Sequence, residues 1–136
     1  MRLQDVLRRL LAFAMIFAGV SHFTATATFL AMMPPLLPAP RALVYISGAA
    51  EIALGISLMI PSLRRLASLG LIALFIAVFP ANVYMAIAHL PLGDLHVPTW
   101  ALWARLPLQG VLIGWAYWVG RTPAPPTTGG DASDAR

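Results

Sequence analysis

The chain has 136 residues, 60% of them hydrophobic and 10% charged, with a formal net charge of +4. A soluble domain carries roughly 25% charged residues, so this composition excludes an ordinary soluble globule and points to a membrane protein. The absence of cysteine excludes thiol-disulfide exchange, thioether haem attachment and cysteine metal sites.

All nine basic residues are arginines. They stand singly or in pairs at the ends of apolar runs, which marks membrane boundaries and not a nucleic-acid face. A short polar lead with Arg2, Arg8 and Arg9 precedes a first helix over about residues 7–23, with His22 near its far end. The basic lead, the apolar core and Ala25-Thr26-Ala27 also have the form of a signal peptide. The apolar run continues past that cut and three further spans follow, so the segment is read as a span.

Between residues 24 and 41, Pro34, Pro35, Pro38 and Pro40 prevent a regular helix in the second half. Phe29, Leu30, Met32 and Met33 make the first half apolar, which suits an interfacial segment, a short helix or lid. Helix two, about residues 42–60, contains one carboxylate, Glu51. At about 100° per residue, Ser47, Gly48, Glu51 and Gly55 fall within roughly a 100° arc. The small residues of that stripe admit a close neighbouring helix. An ionisable group at membrane depth costs at least ~2.5 kcal/mol, so Glu51 faces the interior or a cavity.

Helix three, about residues 66–90, contains Pro80 and Asn82. Pro80 removes the backbone bond to residue 76 and predicts a kink, with Asn82 placed to serve the disturbed backbone. Asp94 and His96 lie on the connector that follows, and His89 and His96 read as solvated. Helix four, about residues 100–119, carries all four tryptophans. Trp100 and Trp118 are about 27 Å apart at the helical rise, matching two interfacial belts. Its Gly110-x-x-x-Gly114 is a small-xxx-small face for a neighbouring helix or a second copy of the chain. Residues 122–136 form a polar tail with nothing to bury.

The expected fold is all-α, a membrane-spanning up-and-down four-helix bundle in one domain, residues 1–121. Four spans put Arg2, Arg8, Arg9, Arg64, Arg65 and Arg121 on one side against Arg41 and Arg105 on the other. The positive-inside rule then places both termini in the cytoplasm of a bacterial-type inner membrane.

Counted from those arginines, His22, Glu51, Asn82, Arg105 and Gln109 reach heights of roughly 18–25 Å in a core about 30 Å thick. Four helices thus send polar groups to one layer, and Arg105 and Gln109, spaced i, i+4, share a face. These five are the candidate ligand-binding residues, with Glu51 the candidate catalytic group. The alternative is a structural network in which Glu51 and Arg105 neutralise one another. His22 and Glu51 offer only two metal ligands where three or four are usual, so no metal site is assigned.

Five stretches in order resemble the DoxX-like family of small four-helix membrane proteins. They are Gly19-Val20-Ser21-His22-Phe23, Pro34-Pro35-Leu36-Leu37-Pro38, Ser47-Gly48 with Glu51 and Gly55, Phe79-Pro80-Ala81-Asn82, and Arg105-Leu106-Pro107-Leu108-Gln109. The likeness covers roughly residues 1–121. It implies kinship with a family named for a subunit of a thiosulfate:quinone oxidoreductase, other members of which are linked to redox stress complexes.

Three functions stay open. The first is an accessory or quinone-interacting subunit of a membrane redox system, with Arg105, Gln109 and His22 on carbonyl oxygens and Glu51 exchanging protons. Such a chain is not catalytic alone, because it has no cofactor site and needs an electron-carrying protein partner. The second is a small proton-coupled transporter, as a homodimer. The third is a membrane assembly partner without chemistry. Beyond the lipid bilayer, a redox protein and a second copy are the partners considered.

Overall fold

The computed structural model describes residues 2–90 and 96–121; Asp94 and the tail from residue 122 lie outside the described residues. Among the described residues the chain is all-helical, with α1 (Leu3–Thr24), α2 (Thr26–Ala31), α3 (Pro40–Met59), α4 (Arg64–Ile87) and α5 (Thr99–Gly120). Three of these, α1, α3 and α4, are long and apolar enough to cross a membrane. α5 has 22 residues, but Arg105, Pro107, Gln109 and its tryptophans dilute its apolar content.

Local chemistry sets the ends. α3 opens on Pro40, whose missing N–H is harmless in a first turn and whose φ already suits a helix. α4 stops at Ile87, short of the 90 expected from the apolar run. His89 adopts φ 53°, and the Leu90 amide turns back 3.2 Å to the Met85 carbonyl, closing the helix with the wrap-around bond of a Schellman end. The polar lead is not a separate segment, because α1 begins at Leu3. Its Gln4 and Arg8 explain why: Gln4 Nε2 donates to the carbonyls of Trp118 (2.8 Å) and Arg121 (2.9 Å). Arg8 Nε donates to Val119 O at 3.0 Å. Trp118 O also takes the Arg121 amide at 3.3 Å, while the others belong to the end of α5, where helical partners run out, and the Arg8 charge also suits that end of the helix dipole.

α1 packs along α3 and α4 along α5, with further contacts joining α3 to α4 and α5 to α1. The α1–α3 approach uses the small-residue stripe. A Cβ on Gly48 would meet His22 Cβ at 2.6 Å, one on Gly19 would meet Gly48 O at 2.6 Å, and one on Gly55 would meet Ala12 O at 2.9 Å. Toward the arginine-rich end, Leu11, Leu58, Leu71, Phe75 and Val119 form the main buried core. A smaller cluster of Met85, Ala86 and Leu102 lies toward the other end. The polar layer falls between them.

Candidate functional site

The buried end of α1 carries His22, and the close α1–α3 contact fixes its ring. His22 Nδ1 lies 3.0 Å from Val44 O and 3.0 Å from Ser47 Oγ. Ser47 Oγ also donates to Val44 O at 3.0 Å. A carbonyl can only accept, so the proton of the ring sits on Nδ1 and Nε2 faces away from it. In that direction stands Glu51, with Oε2 3.4 Å from His22 Nε2. The approach lies outside hydrogen-bond geometry, and Glu51 Oε2 is buried without a hydrogen-bond partner among the described residues. His22 Nε2 and Glu51 Oε2 are thus the closest approach of two ionisable side chains inside this site.

α2 folds back over this pair. Phe29 packs on the His22 ring with centroids 3.9 Å apart, and Phe23 stacks on Tyr45 at 5.3 Å, tying the end of α1 to α3. Phe29 and Met32 form part of the wall of a cleft of about 320 Å³. Met15, Phe75 and Leu112 supply much of its apolar surface, and His22, Glu51, Asn82, Arg105 and Gln109 its polar groups. All five residues singled out in the sequence thus line one cleft.

Their pairings differ from the expected ones. Glu51 and Arg105 form no ion pair among the described residues. Glu51 is turned to His22, while Arg105, half-buried, places Nη1 3.9 Å from Met85 Sδ. The reason is topological: α3 packs on α1 and α4, and α5 on α4 and α1, so Glu51 and Arg105 line the cleft from helices that do not pack along each other.

Asn82 does not repair the backbone beside Pro80. Gln109 reaches the same turn from the neighbouring helix, its Nε2 donating to Phe75 O, one residue before the carbonyl that Pro80 releases. Asn82 Nδ2 donates to Gln109 Oε1 at 2.5 Å, which sets the amide orientation. Gln109 is buried, and both of its amide atoms are engaged. His89 is exposed and bonds Ile87 O at 2.9 Å, and His96 is exposed. A Cβ added at Gly110 or Gly114 would meet nothing within 4 Å, so among the described residues no side chain is packed against these glycines.

Sequence reasoning missed three contributors: the Val44 carbonyl, the Ser47 hydroxyl as a partner of His22, and the Phe75 carbonyl. Pro80 hinted only at the neighbourhood of the last, because it releases the carbonyl of residue 76, one residue further on.

A family model described as Domain of unknown function (DUF8561) matches residues 11–120. The chain belongs to that family. The DUF8561 match covers all five cleft residues, from His22 to Gln109. No curated protein and no solved structure matches the chain.

Proposed function

We propose that this DUF8561 chain is a DoxX-like four-helix membrane bundle that holds a quinone or a similar small carbonyl compound for a membrane redox system. In this reading α1, α3, α4 and α5 all span a bacterial-type inner membrane, with both termini and the arginine-rich end in the cytoplasm. The cleft observation carries it: hydrogen-bond donors and the neighbouring side chains of Glu51 and His22 meet apolar walls in about 320 Å³. That is the small end of ligand-site volumes, roughly 300–1,000 Å³, and suits a ring with its tail outside the cleft. Arg105 presents guanidinium donors toward a carbonyl oxygen, and Glu51 with His22 supplies or takes the proton that follows an electron. The electrons come from a redox protein partner, and the chain acts as an accessory subunit.

The transporter alternative requires a path to both faces. Below the cleft, Leu11, Leu58, Leu71 and Val119 are fully buried and close that route, which favours ligand holding over transport. The open Gly110–Gly114 face suits a second copy of the chain or the redox partner.

Purification in mild detergent followed by solvent extraction tests the reading. A quinone recovered with the wild type and depleted in Arg105→Gln and Glu51→Gln supports it. Equal recovery from all three, at levels expected for bulk lipid, refutes it.

A further inference from the structure

A second cavity of about 290 Å³ lies between the start of α4 and the end of α5, lined by Arg65, Ser68, Leu69, Tyr117, Gly120 and Arg121. Three observations define the chemistry it would accept. The first is charge. α4 opens with Arg64 and Arg65, has no acidic residue in its first turn and has no side chain capping its amides. Cations at that end oppose the positive pole of the helix dipole, and an anion would relieve both. Among the described residues the only carboxylates are Asp5 and Glu51. Arg8 engages the first at 2.5 Å and His22 faces the second at 3.4 Å, so neither serves Arg65 or Arg121.

The second observation is position. A side chain at Gly120 would collide with Ser68, so glycine there lets the end of α5 lie directly on α4. That brings Arg121 to the same cavity as Arg65. The Arg121 guanidinium sits 5.7 Å over the Tyr117 ring, a cation–π contact that holds it at the rim. Ser68 Oγ donates to Ala116 O at 2.7 Å, which leaves the two guanidinium groups as the charged donors to a ligand. The third observation is the apolar flank. Leu69 and Tyr117 are 53% and 55% exposed and give the cavity an apolar wall beside the arginines.

From these we infer that the cavity binds the phosphodiester headgroup of an anionic lipid, with Arg65 and Arg121 on the phosphate oxygens and the acyl chains along Leu69 and Tyr117. Guanidinium groups match phosphate geometry, and basic pockets between spans on the cytoplasmic side suit such headgroups. The inference rests on the membrane-spanning reading above and is independent of what fills the central cleft.

The test reconstitutes the full chain in nanodiscs of mixed phosphatidylcholine and phosphatidylglycerol and identifies, by native mass spectrometry, the lipids retained on the released protein. The wild type should retain phosphatidylglycerol preferentially. That preference should fall about fivefold in Arg65→Gln or Arg121→Gln and about 25-fold in the double variant, as for ~1 kcal/mol per arginine near a membrane surface. Arg41→Gln, at the opposite end, should leave it intact. An undiminished preference in the double variant, with helix content unchanged, overturns the site. Displacement of the lipid by inorganic phosphate alone, whatever the acyl chain, overturns the lipid source and leaves a free-phosphate site. A chain that stays outside the bilayer overturns the membrane reading and the lipid source together, which separates the two failures.

Discussion

Asn82 Nδ2 lies 2.5 Å from Gln109 Oε1, and that contact determines which way the Gln109 amide points. With its oxygen taken by α4, Gln109 turns Nε2 to the Phe75 carbonyl, one residue from the carbonyl that Pro80 leaves without its usual donor. The arrangement makes Asn82 and Gln109 a coupled unit. Asn82→Ala should lower stability by about 1–2 kcal/mol, and Gln109→Leu by more, since it strands both Asn82 and the Phe75 carbonyl. Thermal unfolding in detergent of both single variants and the double should show a coupling above about 0.5 kcal/mol. Simple additivity would dissolve the unit.

A second cycle separates the two charges of the cleft. Glu51 stands against His22 and Arg105 beside Met85, so Glu51→Gln and Arg105→Gln should destabilise additively to within about 0.5 kcal/mol. Glu51→Gln combined with His22→Gln should instead show coupling of about 1 kcal/mol or more, because those two side chains stand 3.4 Å apart in a buried site. The reverse pattern would make the Glu51–Arg105 pair the centre of the layer after all.

Glycines on the two sides of the molecule should answer differently to the same change. Gly48→Ala must push His22 Cβ or the Gly19 carbonyl aside, a cost of about 1–3 kcal/mol by overpacking. Gly110→Ala and Gly114→Ala meet open space and should be neutral or stabilising by up to about 1 kcal/mol in the isolated chain. A matching loss at Gly110 in the purified protein, accompanied by dissociation to a smaller species, would show that this face is occupied by a second copy.

Arg8 should act as a clamp on α5. Buried beside Asp5 and bonded to Val119 O, it secures the last turn against α1. Arg8→Met should cost about 1–3 kcal/mol. It should also speed amide exchange over residues 118–121 while leaving the Glu51 region protected. Unchanged exchange at the end of α5 would mean that Gln4 alone suffices.

Reporter fusions check the placement in the membrane. Signals after Arg65 should be cytoplasmic and those after His96 external. The opposite pair would invert the chain, and two signals on one side would remove α4 as a span.

Much of this protein was readable in one dimension. Apolar runs of the right length, arginines at their ends and prolines between them marked the helices, because a helix satisfies its own backbone and needs only a continuous apolar sequence. The stripe of Ser47, Gly48, Glu51 and Gly55 likewise showed where a neighbouring helix would lie close, since a 3.6-residue period fixes which residues share a face; that the neighbour is α1 came from the fold. Counting along each helix also brought His22, Glu51, Asn82, Arg105 and Gln109 to one depth. What counting cannot supply is azimuth, the direction each helix turns about its own axis, and that is set by packing against neighbours. Azimuth sent Glu51 to His22 instead of Arg105. It gave the Phe75 carbonyl to Gln109 instead of Asn82, and it buried Arg8, which looked like a boundary charge, against the last carbonyls of α5. Partners of backbone carbonyls such as Val44 O were beyond reach for the same reason: every residue has one, and only the tertiary fold says which side chain arrives at it.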